Sequence, residues 1–267
     1  MAFQTVFKRY EIKYLLTAEQ KQKILRAMAP YMVADQYGKT TVRNIYFDTD
    51  NFQLVRHSID DPVYKEKLRV RSYGAADPQG TVFVELKKKY QKVVYKRRIA
   101  MPQKEAAEWM AGIRHCRSDS QISREIDYFL EYYKTLKPAV FLSYDRQAYY
   151  LKDCSEFRMT FDENILCRRY DINLESGVYG DHVLAEGLTL MEVKCAAGMP
   201  LWLTSVLSEE HIYKTSFSKY GMAYKKFIYP ALKSGAGTSN NADEPKEAKK
   251  VCLTTFLNGC LIRIWCP

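Results

Sequence analysis

Between residues 63 and 101, lysine and arginine recur at every second position of runs that read as extended strands. In V-Y-K-E-K-L-R-V-R-S-Y, Lys65, Lys67, Arg69 and Arg71 share one strand face while Leu68 and Val70 take the other, because successive strand side chains point oppositely. In T-V-F-V-E-L-K-K-K, the same parity sets Glu85 and Lys87 against Val82, Val84 and Leu86. A third run puts Lys96 and Arg98 together. Guanidinium forks grip phosphate or carboxylate oxygens two at a time, and lysine adds a point charge. Such a face suits a densely anionic ligand held by several strands at once. Taken singly, Arg-x-Arg is an ordinary solvated face, and Glu85 with Lys87 an ordinary pair. Repetition of the parity from strand to strand is what points to a site.

The elements that must position these residues are legible as alternation and capping signals. Residues 3 to 16 read as a strand with Glu11 and Lys13 on one face. Thr17 and Gln20 form a capping box for a helix that Pro30 ends. Strands follow at 40–48, 63–73, 81–90 and 92–101, and Pro102 opens a helix at its first turn. The spacing of Ile122, Ile126, Phe129, Leu130 and Tyr133 predicts a helix over 119–136. Strands return at 138–150, 156–169 and 183–194, and helical segments fill 200–230. In F-R-M-T-F-D, Arg158, Thr160 and Asp162 alternate with apolar neighbours.

The chain has 267 residues, 47% of them hydrophobic, which suits a folded protein with a sizeable core. A net charge of +10 favours an anionic partner without choosing among nucleic acid, nucleotides, polyphosphate and anionic membranes. The seven cysteines are scattered and lack a Cys-x-x-Cys pair, arguing for a reducing compartment and against a structural zinc site. With neither a secretory signal nor a membrane span in view, a cytoplasmic location is expected, at most peripheral to a membrane. Residues 1–232 form the expected domain and 233–250, rich in Ser, Gly, Asn, Glu and Lys, a flexible linker. The short apolar tail 251–267 suits a membrane or partner contact, an unstructured end or a sequence artefact.

Seven or eight strands with one charged and one apolar face predict an inside-out α+β fold. The expectation is a closed, antiparallel eight-stranded β tunnel, charged within and wrapped by helices. Burying so much like charge would require a wet lumen filled by anions.

In order along the chain, F-K-R-Y-E-I-K-Y, L-R-V-R-S-Y-G, V-F-V-E-L-K-K-K, Y-D-R, F-R-M-T-F-D, L-M-E-V-K and S-F-S-K-Y-G resemble the VTC domain, the catalytic domain of the vacuolar transporter chaperone complex. That domain belongs to the triphosphate tunnel metalloenzyme superfamily, and the resemblance spans about residues 5 to 229. It implies an ATP-dependent polyphosphate polymerase that uses Mn2+ or Mg2+. Carried over residue by residue, it implies catalytic roles for Lys13, Arg69, Arg71, Lys87, Lys96, Arg146, Arg158 and Lys219. Tyr144 and Ser218 fall in the same motifs as substrate-binding residues, with Glu85 and Lys194 lining the same face, and Glu192 resembles the metal-binding glutamate. Where the wider superfamily begins with E-x-E-x-K, this chain has Arg9 at the first position. That departure disfavours a two-glutamate site on the first strand and favours the polymerase branch.

Lys65, Lys67, Lys88, Lys89 and Lys92 are left as rim or surface charge, and His57, His115, His182 and His211 are isolated. The expected partners are ATP and polyphosphate, with room for a membrane-protein partner that receives the product. Nucleic acid is disfavoured, since a closed lumen suits one flexible anion better than a duplex. Two alternatives stay open: a tripolyphosphate or nucleoside triphosphate hydrolase of the same fold, and a non-catalytic module binding polyphosphate or inositol phosphates.

Overall fold

The computed structural model describes residues 10–60, 63–91, 93–152, 154–196, 198–235, 254–257 and 260–263. Two compact units divide the chain, Met1–Pro230 and Ala231–Pro267. The first begins with β1 (Tyr10–Leu16), α1 (Ala18–Met28), β2 (Met32–Ala34), β3 (Thr40–Asp48) and α2 (Gln53–Asp60). It continues through β4 (Tyr64–Tyr73), β5 (Thr81–Tyr90), β6 (Val93–Pro102), α3 (Gln103–Met110) and α4 (Gln121–Tyr133). Two long strands follow, β7 (Lys137–Leu151) and β8 (Cys154–Arg168), then β9 (Asp181–His182), β10 (Thr189–Cys195) and α5 (Leu201–Glu209). The unit closes with β11 (Lys214–Thr215), α6 (Lys219–Ala223) and a π turn, Tyr224–Ile228, and the boundary at Pro230 falls within α7 (Tyr229–Gly235). The second unit holds a hairpin of β12 (Thr254–Leu257) and β13 (Cys260–Arg263). Residues 3–9 of the expected first strand, Arg9 and Lys92 among the discussed positions, and most of the expected linker lie outside the described residues.

All described pairings of the main sheet are antiparallel, in the order β11-β1-β10-β8-β7-β3-β4-β5-β6, with β2 on β7 and β9 on β8. Among the described residues the sheet therefore has eleven strands and no closing pairing, where eight in a closed ring were expected. The miscount has two sources. Short strands such as β2, β9 and β11 carry too few residues for alternation to register. Closure is a matter of hydrogen bonds between edges, which periodicity does not report. Among the described residues no pairing joins β6 to β11, yet the sheet curls far enough for Lys87 of β5 to approach Glu11 of β1 at 3.9 Å. Side chains bridge a seam that the backbone does not.

Apolar faces turn outward onto helices, as the inside-out reading requires. Leu16, Met159, Met191 and Val193 pack under α1 and α5 through Ile24 and Leu203. Leu68, Val84 and Leu86 pack under α3 and α4 through Trp109, Ile126 and Phe129. A third cluster lies on the inner face instead, where Val55 of α2 and Tyr220 of α6 join Leu142 and Tyr144 of β7, which share the parity of Arg146. The capping box of Thr17 and Gln20 is present, and Ser120 with Ser123 forms another at α4. Pro102 sits one residue earlier than expected, as the N-cap of α3. The strand expected at 183–194 starts only at Thr189, and helix α7 continues through 233–235 where linker was expected. No helix among the described residues is long and apolar enough to cross a membrane.

Helix α2 was not foreseen, and it holds the C-terminal part of the site in place. The carboxylate of Asp48, fully buried at the end of β3, accepts backbone N–H groups from Thr49, Leu54 and Val55 at 2.8–3.0 Å. It also accepts the Tyr220 hydroxyl of α6 at 2.8 Å. One carboxylate thus ties a strand end, a helix start and the segment bearing Lys219. We predict that Asp48→Ala destabilises the protein by about 2–4 kcal/mol by orphaning buried donors, and Tyr220→Phe by about 1 kcal/mol. Urea unfolding checks this, and a variant within 0.5 kcal/mol of wild type would remove Asp48 from this role.

Candidate functional site

Cross-strand register assembles the inward-facing positions into a continuous band. Lys96 and Arg98 of β6 lie opposite Lys87 and Glu85 of β5, which lie opposite Lys67 and Arg69 of β4. Arg69 and Arg71 face Tyr46 and Asn44 of β3. Beyond these, Arg146 pairs with Asp162, and Lys194, Glu192 and Lys13 extend the band to β1. An even register across antiparallel strands keeps one parity on one face, so residues distant in sequence share one wall.

Three buried carboxylates organise the wall. Glu85, 1% exposed, accepts Arg69 Nε at 2.8 Å, Arg98 Nε at 2.6 Å and Lys96 Nζ at 2.8 Å. Burial alone would raise this carboxyl, but Arg69, Arg71 and Lys96 outweigh it and hold the group well below the usual carboxylate range. Asp162, fully buried, takes a bidentate fork from Arg146 at 2.6 and 2.7 Å and Lys219 Nζ at 2.5 Å. Glu192 contacts Lys219 at 3.1 Å, Lys13 at 3.3 Å and Arg146 at 3.6 Å. Burial opposes ionisation of both groups, yet Lys219 and the cations beside it keep both lowered. Conversely, burial disfavours the Lys219 ammonium, and Asp162 with Glu192 more than restores it.

Tyr144 sits between the two arginine groups. Its hydroxyl accepts Arg71 Nη2 at 2.9 Å, and its ring lies 5.0 Å from the Arg146 guanidinium and 4.6 Å from Lys219 Nζ. Arg71 Nε also donates to Asn44, and Arg69 Nη1 to the Tyr46 hydroxyl. Ser218 caps α6, accepting Gly221 N at 3.1 Å, while Lys13 Nζ donates to the Phe217 carbonyl at 2.8 Å. A Cβ at Gly221 would meet Ser218 Cβ and Oγ at 3.2 Å, so the glycine lets the serine turn over the helix start.

Of the residues proposed from sequence, Lys13, Arg69, Arg71, Glu85, Lys87, Lys96, Tyr144, Arg146, Glu192, Lys194, Ser218 and Lys219 all belong to the band or its rim. Arg158 shares their parity and lies opposite Lys194, with its guanidinium turned to Asp35 at 3.7 Å and over the Tyr150 ring. Lys67 was assigned to the rim, and the structure turns it inward, where its Nζ donates to Ser218 Oγ at 2.8 Å. Lys88 does face outward, toward the buried Glu66 that also binds the hydroxyls of Tyr64 and Tyr133. Arg98, Asp162 and Glu11 were not proposed as site residues, although their parity was visible. Only register shows that Arg98 and Lys96 both reach Glu85 while Arg97 turns out to Glu125.

No group of three or more His, Cys, Asp or Glu side chains fit to hold a metal occurs among the described residues. The chain thus offers no cage of its own there. Glu192, paired with Lys219, Lys13 and Arg146 and close enough to Glu11 for the two to feel each other's charge, is the carboxylate a hard cation would meet there, its other ligands coming from phosphate and water.

The model of the VTC domain matches residues 8–228. The chain belongs to the VTC domain family. Among solved structures, a proposed adenylate cyclase from Bacillus halodurans aligns over 81% of this VTC domain protein and 96% of its own chain, at 15% identity and a TM-score of 0.50. A proposed adenylyl cyclase from Hippeastrum, described as having a dominant triphosphatase activity, aligns over 85% and 96%, at 17% identity and a TM-score of 0.45. Another from Vibrio parahaemolyticus aligns over 82% and 98%, at 12% identity and a TM-score of 0.43. The first likeness bears on fold alone. No curated protein matches the sequence.

The lowered Glu85 carboxyl has a defined pH signature. A carboxyl whose folded value lies below its ordinary 4.5 contributes stability above that pH and loses it as the pH falls toward the folded value. Glu85→Gln should cost about 2–3 kcal/mol at pH 7, discounting for the partly exposed partners. Its stability should also fall less steeply than wild type below pH 4.5. Denaturant titrations from pH 7 to 3 read both, and parallel curves would mean that Glu85 is not a paired carboxylate.

Proposed function

We propose that this VTC domain protein is an ATP-dependent polyphosphate polymerase acting along its basic inner wall. The observation that carries the reading is the band itself: arginine and lysine from β1, β4, β5, β6, β7 and β10 converge on one face, in a chain matched by the VTC domain over residues 8–228. Phosphoryl transfer asks little covalent help of a protein. It needs the attacking and leaving oxygens in line and the equatorial charge neutralised.

In this reading Arg69, Arg71 and Arg98 hold one part of the phosphate chain, and Arg146 with Lys219 another. Tyr144 links the two groups, and Lys13, Lys87, Lys96 and Lys194 add charge along the wall. A terminal oxygen of the polyphosphate chain attacks the γ-phosphorus of ATP. The bond from that phosphorus to the β–γ bridging oxygen breaks, ADP leaves with the bridging oxygen, and the chain is longer by one phosphate. The nucleophile is already an anion, so no side chain need remove a proton. This accords with His57, His115, His182 and His211 lying on α2, β9 and loops rather than on the band. A divalent cation bound to the phosphates would add charge neutralisation, and Glu192 would hold it. Glu85 and Asp162 fix the guanidinium groups in place before substrate arrives, so little reorganisation accompanies transfer.

Purified protein incubated with ATP and Mn2+ should yield ADP and long phosphate chains, resolved by gel electrophoresis. Arg69→Ala, Lys87→Ala and Glu192→Gln should each lower turnover by about 100-fold or more. Orthophosphate without chains would replace the polymerase reading by a hydrolase. Full activity in all three variants would move the site elsewhere.

A further inference from the structure

The cations of the inner wall divide by what neutralises them. Arg69, Arg98 and Lys96 share Glu85, Arg146 and Lys219 share Asp162, and Lys13 lies between Glu11 and Glu192. Lys87 has Glu11 at 3.9 Å. Among the described residues Lys194 makes no ion pair but feels the charges of Glu11 and Glu192, whereas Lys67 differs from all of these. Its ammonium donates to Ser218 Oγ at 2.8 Å, and among the described residues no carboxylate lies within ion-pair distance of it. Its neighbours are cations: Lys87 opposite it on β5, Lys13 on β1, and Lys65 and Arg69 on its own strand. Ser218 accepts from Lys67 and from Gly221 N, so the serine hydroxyl proton is free to point at a ligand. Two of the three ammonium protons of Lys67 are likewise uncommitted.

A half-buried cation set among cations, with a hydroxyl as its partner, is an unfavourable arrangement that an anion in the same space would reverse. We propose that Lys67 and the Ser218 hydroxyl, flanked by Lys87 and Lys13, seat one phosphate group of the bound chain, apart from the arginine groups organised by Glu85 and Asp162. The assignment rests on the polyphosphate reading and adds to it a residue that binds phosphate only when charged. Burial, with Lys87, Lys13, Arg69 and Lys65, pushes Lys67 down to about 7. A phosphate beside it favours the ammonium form, so binding draws in a proton at neutral and higher pH. The linkage has a definite sign. Affinity owed to Lys67 is fully present below about 7 and declines as the pH rises.

Tripolyphosphate binding to the full chain, followed by titration calorimetry from pH 6 to 9 at fixed ionic strength, tests this with Lys67→Met and Lys67→Arg. The ratio of wild-type to Lys67→Met affinity cancels the titration of the ligand and of the other lysines. That ratio should be largest at pH 6 and shrink toward pH 9, by up to about tenfold per pH unit. Lys67→Arg, which keeps its charge, should hold its affinity at pH 9 better than wild type does. Circular dichroism confirms that each variant is folded. A ratio of one, or a ratio unchanged with pH, would overturn the Lys67 assignment and leave the polyphosphate reading standing. Wild-type protein that binds no tripolyphosphate at any pH would overturn both.

Discussion

Repulsion among its own cations is the constraint that the rest of this fold answers. Two unit charges 4 Å apart cost about 4 kcal/mol at an effective dielectric constant near 20, and the inner wall crowds many such pairs. Glu85, Asp162 and Glu192 make the wall tenable, because each is buried and each meets two to four cations. The lumen was expected to depend on bound anions for its neutrality. The chain instead supplies part of that negative charge itself, from three separate strands. Among the described residues, Lys67 is a wall cation that meets none of the three.

The carboxylates also explain why helices must cover the outside. A strand with one face of arginine and glutamate has only its other face to bury, so Leu68, Val84 and Leu86 need α3 and α4, and Met159 and Val193 need α1 and α5. Rigid guanidinium groups inside and a packed apolar layer outside are two faces of the same alternation. The positive groups therefore stand on strands held from behind, with paired carboxylates limiting their rotation.

Much of this was legible from the chain alone, because a period of two is a local property. The inward assignment of Arg69, Arg71, Glu85, Lys87 and Glu192 needed nothing beyond counting along a strand. What escaped depends on relations between strands. Lys67 has the same parity as Arg69, but its inward position is marked only by Ser218, 151 residues away. Asp162 appears as one more alternating acid until the register of β8 against β7 brings Arg146 to it. Helix α2 was missed because its start is set by Asp48, several residues upstream, rather than by a cap adjoining it. The open edge of the sheet could not be read either, since parity says which face a residue takes and nothing about where a ring ends.

That open edge bears on how the wall could yield. Among the described residues the curl is held at its seam by contacts such as Lys87 with Glu11 and Lys67 with Ser218, and no backbone ladder crosses from β6 to β11. A ladder would have to be unzipped bond by bond, each leaving bare amide groups behind. A partly exposed ion pair at 3.9 Å contributes about 1 kcal/mol or less, and water readily replaces it. Salt weakens such a contact, whereas it leaves an amide ladder nearly untouched. The weakest mechanical line of the described sheet therefore runs along its basic inner wall.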